Sequence, residues 1–129
     1  MRLNPDCIRD LLLEVEENVD IGKGYRYNFE SLTSNNRLAK YTKDEILYHA
    51  NQCEMSGLLV NVRITNDFNC YIADLSPNGH AFLADVRADT LWNKVKDKAK
   101  DLGIGSISAL VEIAKNLVTS VIRAHFFDL

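Results

Sequence analysis

The stretch Tyr41-Thr42-Lys43-Asp44-Glu45-Ile46-Leu47-Tyr48-His49-Ala50-Asn51-Gln52-Cys53-Glu54-Met55-Ser56-Gly57 decides how the rest of the chain is read. Thr42 is an N-cap residue, and Glu45 stands three positions on, where its carboxylate can return a hydrogen bond to the cap: a capping box. Tyr41 before the cap and Ile46 after it are placed for a hydrophobic staple. Ile46, Leu47, Ala50 and Cys53 recur at helical spacing and give this helix one apolar face. Gly57 ends it, as a glycine just past the last helical turn does. Directly after that glycine the chain reads as a strand from Leu58 to Thr65, turn chemistry in Asn66-Asp67-Phe68-Asn69, and a second strand from Cys70 to Leu75.

On the N-terminal side, Asn4 caps a helix from Pro5 to Asn18. Proline suits its first position because the missing N–H has no partner there in any case. Ile8, Leu11, Leu12, Val15 and Val19 form its buried stripe, with Glu14, Glu16 and Glu17 expected to face water. Gly22-Lys23-Gly24 breaks the chain, and Tyr25, Tyr27 and Phe29 alternate with Arg26 and Asn28 as in a half-buried strand. Residues 31–40, with Thr33-Ser34-Asn35-Asn36, are polar and read as a loop or a short, poor helix. On the C-terminal side, Ser76-Pro77 opens a helix with core residues Phe82, Leu83 and Val86. It continues, with a kink near Asp89-Thr90, through Leu91, Trp92, Val95 and Ala99 to Leu102. Gly103-Ile104-Gly105-Ser106 is a loop, and a last helix runs from Ile107 to Phe127 with an unusually wide apolar stripe.

A capped helix that ends in glycine and runs straight into a two-stranded hairpin is the order of a winged helix. The fold expected is therefore α+β: a winged-helix-like domain over residues 1–88, mostly helical with a small antiparallel hairpin or sheet. A C-terminal helical extension over residues 89–129 either packs on it or mediates dimerisation, the whole forming a single structural unit.

Composition narrows the function. The 129 residues are 47% hydrophobic and 26% charged, ordinary values for a folded domain, with a net charge of −3. Proteins that live on phosphate contacts usually carry an excess of Lys and Arg. Here residues 1–75 hold 8 basic and 12 acidic residues, and residues 76–129 hold 7 and 6. The three cysteines, Cys7, Cys53 and Cys70, are widely spaced and lack a C-x-x-C pair, so they read as reduced core residues in a cytoplasmic protein. The N-terminus is a capped helix start rather than a secretion signal. The most apolar stretch, residues 104–122, carries Glu112, Lys115 and Asn116, so no membrane span is expected.

Several stretches look like one family: Leu3-Asn4-Pro5-Asp6-Cys7-Ile8-Arg9-Asp10, Tyr41 through His49, Ser56-Gly57-Leu58-Leu59, Asp74-Leu75-Ser76-Pro77-Asn78-Gly79-His80, and Thr90-Leu91-Trp92-Asn93-Lys94-Val95-Lys96. Over nearly its whole length the chain resembles the domain-of-unknown-function family numbered 2513, small proteins of phages, prophages and other mobile elements in bacteria. The resemblance implies a winged-helix-like fold and a phage setting, and it brings no reaction or catalytic residues. The polar stretch before Tyr41 departs from the family pattern at the place of the middle helix of a helix-turn-helix.

The exposed face of the capped helix carries Asp44, Tyr48, Asn51, Gln52 and Met55, and three readings of it stand open. It is a solvated face; it is a protein-contact face anchored by Tyr48 and Met55, residue types enriched at interfaces; or it reads DNA, Asn51 and Gln52 facing adenine edges. The DNA reading recruits Arg37, Lys40, Lys43 and Arg63 beside Asn51 and Gln52. Against it, residues 42–57 hold Lys43 alone opposite Asp44, Glu45 and Glu54, and a helix between two phosphate rows should not be net negative. Lys94, Lys96, Lys98 and Lys100 scatter around their helix and alternate with Asp97 and Asp101, the pattern of a solvated face. His49, His80 and His125 lack ligand spacing, so no metal is expected. Gly103-Ile104-Gly105 is no dinucleotide loop, and no nucleophile or phosphate-loop motif is present, so neither a cofactor nor an enzymatic activity is expected. Leu117, Val121, Phe126 and Phe127 are the candidates for a homodimer contact along the last helix. The expectation is a non-enzymatic accessory protein that binds a host or phage protein, with a dimeric DNA-binding regulator as the alternative.

Overall fold

The computed structural model describes residues 1–103 and 105–127, of Phe127 the backbone only. The described residues form an α+β fold with five helices and one three-stranded antiparallel sheet: α1 (Pro5–Asn18), β1 (Tyr25–Tyr27), a 3-10 turn (Phe29–Ser31), α2 (Lys43–Met55), β2 (Leu59–Ile64), β3 (Cys70–Leu75), α3 (Pro77–Val86), α4 (Asp89–Leu102) and α5 (Ile107–Phe127). The strand order is β1-β3-β2. The chain divides into two compact units, Met1–His80 and Ala81–Leu129. Ile104, in the loop before α5, lies outside the described residues.

In the first unit α1 begins as its sequence requires. The Asn4 carboxamide accepts from the N–H groups of Asp6 and Cys7, and Pro5 occupies the first turn. Cys7, Ile8, Leu11, Leu12 and Val15 are fully buried, and α1 packs on α2 and β3. Val19 is only half-buried, because the helix ends before it and the chain leaves in extended conformation.

Glu14 departs from expectation: it is 7% exposed rather than facing water. Its carboxylate accepts from Asn18 at 2.9 Å, Asn36 at 3.4 Å and Arg37 at 3.3 Å, and Arg37 also forks onto Glu17 with two bonds of 2.8 Å. A buried carboxylate persists only when hydrogen bonds and charge replace its water. Asn36 and Arg37 come from the polar stretch, which contains no α-helix. Residues 33–41 are successive four-residue turns closed by the Thr33, Asn36 and Leu38 carbonyls. The Asn36 carboxamide accepts from the Leu38 N–H, the local side-chain bonding that competes with a helix. Leu38 and Tyr41 are buried, and the Tyr41 hydroxyl donates to Asp10 at 2.6 Å. Burial first, then that bond and the Asp10 charge, hold its ionisation well above the usual phenol range.

The sheet positions two faces. Register aligns Tyr25, Ile72 and Val62 across the three strands, and likewise Tyr27, Cys70 and Ile64, while the row between them is Arg26, Tyr71 and Arg63. Tyr25, Tyr27, Cys70 and Ile72 are buried; Arg26 and Arg63 are exposed and Tyr71 half-buried, as pleat alternation demands. Phe29 does not extend β1: Asn28 caps a 3-10 turn and Phe29 is half-exposed. In β2, Leu59 and Val62 both turn inward although three positions apart, and between them Asn61 adopts φ +51°, a conformation Asn tolerates better than most residues.

α3 opens where Ser76 accepts from the Gly79 N–H. A Cβ on Gly79 would collide with the Leu58 carbonyl oxygen, so this approach needs glycine. In the second unit the chain breaks at Arg87-Ala88 instead of kinking within one helix, and Asp89 starts a separate α4. Gly103 closes α4 at φ +67°, and α4 packs on α5. Trp92 lies edge-on to Phe82 with centroids 6.4 Å apart, an arrangement that contributes about 1 kcal/mol beyond its area. Val95, Ala99, Ile107, Leu110 and Ala114 of α4 and α5 are buried as well.

Candidate recognition surface

The capping box of α2 forms as read: the Thr42 hydroxyl accepts from the Glu45 N–H at 3.1 Å, and Glu45 accepts from the Thr42 N–H at 3.0 Å. Ile46, Leu47, His49, Ala50 and Cys53 are buried. Gly57 comes next at φ +78°. Two contacts then lay α2 along the edge strand β2. The Glu54 carboxylate accepts from the Val62 N–H at 2.7 Å, and the Lys43 ammonium donates to the Asp67 carbonyl at 3.0 Å, which sets the start of α2 beside the hairpin tip. Covering an edge strand's N–H in this way also blunts unwanted strand pairing.

His49 fixes the inner side of α2, a role that its sequence position, which argues only against metal binding, does not reveal. It is 0% exposed. Its Nε2 accepts from the Asn4 N–H at 2.8 Å, so Nδ1 carries the hydrogen and donates to the Glu45 carbonyl at 2.7 Å. The cap of α1 is thereby tied to α2. A buried histidine mid-helix shows no sequence signature that separates this role from ordinary core packing.

The five residues expected on the outer face of α2 do share one face, at positions i, i+4, i+7, i+8 and i+11. Asp44 and Asn51 are exposed, Tyr48 and Gln52 half-buried, and Met55 64% exposed. The Tyr48 ring stands perpendicular to His49, 5.4 Å away, so it is braced from beneath. The hairpin tip adds Phe68, 66% exposed at φ +58°, a costly conformation for a bulky residue. Asp67 bonds Thr65 and Asn69 around it, and those bonds hold the Asp67 carboxyl below the usual carboxylate range.

The basic residues of the DNA reading are not brought together. Arg37 is committed to Glu14 and Glu17, Lys40 to Asp10 at 3.0 Å, and Lys43 to the Asp67 carbonyl. Arg63 sits on the outer sheet face, in the row with Tyr71 and Arg26. Sequence reasoning misses that row: β1 alternation exposes Arg26, but only strand pairing sets Tyr71 beside it. The Arg26 guanidinium lies over the Tyr71 ring, 5.6 Å from its centre.

On α5, Leu117 is half-buried, Val121 half-exposed and Phe126 largely exposed; the Phe127 side chain lies outside the described residues. Lys94, Lys98 and Lys100 on α4 are exposed, and Lys96 reaches over the Trp92 ring. All three cysteines are buried free thiols; burial above all pushes Cys7 and Cys53 up to about 12 and Cys70 up to about 11. Among the described residues no group of three His, Cys, Asp or Glu is arranged to hold a metal, and no helix is long and apolar enough to cross a membrane.

Residues 2–105 match the model of a family described as Hypothetical protein (DUF2513). An uncharacterized protein of Haemophilus influenzae is 25% identical over 126 residues, which cover 95% of this chain and 99% of that protein. No solved structure matches the chain.

Proposed function

The chain belongs to the DUF2513 family, and we propose that it is a non-catalytic, winged-helix-like binding protein of a phage or mobile element, docking a host or phage protein on the outer face of α2. One observation carries this reading. Half-buried Tyr48 and exposed Met55 lie on the outer face of a helix anchored to the hairpin, while Arg37, Lys40 and Lys43 each hold an intramolecular contact. Aromatic and Met side chains supply contact area at protein interfaces, and Asp44, Asn51 and Gln52 give the polar rim. The acidity of the helix opposes a phosphate backbone and suits a partner with basic residues at its contact. Residues 59–75 form the wing of this reading and bring Phe68 to the start of the same helix. The cytoplasm of the bacterial host is the setting proposed.

The test is a pull-down from host lysate with the wild type and with Tyr48→Ala/Met55→Ala. The reading expects a partner retained by the wild type and lost by a variant with unchanged circular dichroism. Equal capture by both would overturn it. Tight, sequence-selective duplex binding abolished by Asn51→Ala/Gln52→Ala would instead establish a DNA-reading regulator.

A further inference from the structure

The outer sheet face sets cations beside an aromatic ring. Its central row crosses all three strands as Arg26, Tyr71 and Arg63, adjacent strands lying about 4.8 Å apart. Lys23 stands at the entrance to β1. Among the described residues no carboxylate is within ion-pair distance of Lys23, Arg26 or Arg63, whereas Arg37 and Lys40 are paired. Arg26 and Arg63 in one row, with Lys23 lining the hollow beside Tyr71 and none of the three ion-paired among the described residues, make a local reversal of sign in a chain whose net charge is −3.

Shape supports a ligand there. Three hollows flank the Arg26–Tyr71 pair: one of about 370 Å³ against Lys23 and Gly24, one of about 440 Å³ against Asn61 and Arg63, and a smaller one of about 230 Å³ toward the hairpin tip, which Asp67 also lines. Gly24 matters to the first, because a Cβ there would lie 2.6 Å from the end of the Tyr71 ring. The ring is thus laid down beside the backbone of β1, with a cation next to it.

We propose that this face binds single-stranded nucleic acid, with phosphates paired by Lys23, Arg26 and Arg63 and a base lying against Tyr71. Guanidinium groups fork onto phosphate oxygens, and an aromatic ring set among cations on a sheet is the arrangement that takes an unstacked base. A duplex keeps its bases stacked inside and is read by elements that project into a groove, whereas this face offers hollows beside an exposed sheet row. An acidic peptide would use the cations and leave the ring idle.

The test is fluorescence polarisation of the full chain with a labelled mixed-sequence single-stranded 12-mer at 50 and 200 mM salt. Three phosphate contacts predict a log–log salt slope of about −2, so affinity falls about twentyfold between the two conditions. Arg26→Gln/Arg63→Gln brings the slope to about −0.7. Tyr71→Leu weakens binding about tenfold with the slope unchanged, and Lys94→Gln/Lys98→Gln on α4 binds as the wild type does. Circular dichroism confirms that each exposed-face variant folds. No binding by the wild type at 50 mM salt, unchanged binding by the sheet variants, or displacement by duplex or polyglutamate as readily as by unlabelled single strand overturns the proposal.

Discussion

Replacing His49 by alanine tests the joint between α1 and α2. The imidazole is 0% exposed, and its Nε2 is the acceptor for the Asn4 N–H at 2.8 Å. Removing it leaves that donor without its partner, at a cost of about 1–3 kcal/mol. The vacated ring space adds a cavity cost on the order of 1 kcal/mol after partial collapse. The Glu45 carbonyl loses only a second bond, since it still accepts the α-helical one. The sum, about 3 kcal/mol, is a large part of a typical stability of about 5–15 kcal/mol. For a chain of this size it lowers Tm by about 10 °C. The assay is thermal unfolding followed by circular dichroism, with urea titration as the second measure. His49→Gln, which sets an amide oxygen near the position of Nε2, recovers part of the loss. A His49→Ala protein that melts within about 2 °C of the wild type would refute the reasoning, because the Asn4–His49 bond would then contribute nothing.

Other consequences arise from particular contacts. The Tyr27 hydroxyl is buried with no hydrogen-bond partner among the described residues, so Tyr27→Phe raises stability by about 1 kcal/mol in a urea titration; an equal loss would show that the hydroxyl is bonded. Gly79→Ala, forced against the Leu58 carbonyl, costs more than about 2 kcal/mol, and a neutral result would mean the start of α3 can move away from β2. The folded thiols ionise at about 11 to about 12 against an ordinary 9.0. The unfolded chain therefore releases these protons first, and stability falls as pH rises from about 9 to about 12. At pH 8 the native thiols react with a disulfide reagent only as fast as the chain opens, and immediate labelling would contradict their burial. If α5 pairs with its twin, as Val121 and Phe126 suggest, Val121→Asp/Phe126→Asp converts a dimer to a monomer by light scattering; a wild type that is already monomeric would remove the dimer proposal.

The legibility of the sequence depends on the range of the interactions. The caps of α1 and α2, the glycine after α2 and the hairpin are readable because their signals lie within a few residues. The break between α3 and α4 falls a residue or two earlier than the sequence suggests, since no strong breaker marks Arg87-Ala88. Glu14 is misread because its burial depends on Arg37 and Asn36, more than twenty positions away. The outer face of α2 is readable from helical periodicity. The Arg26–Tyr71–Arg63 row is not, because it exists only once β3 pairs with both neighbours, and nothing local in Tyr71 announces which residues will flank it.

The central claim is that α2 presents Tyr48 and Met55 to a protein. The most direct measurement is capture from host lysate by the wild type and by Tyr48→Ala/Met55→Ala side by side, with the captured partner then purified and titrated against both. The account predicts specific binding by the wild type, weakened at least about a hundredfold in the double variant at unchanged Tm. Equal affinity of the two proteins for that partner would contradict it.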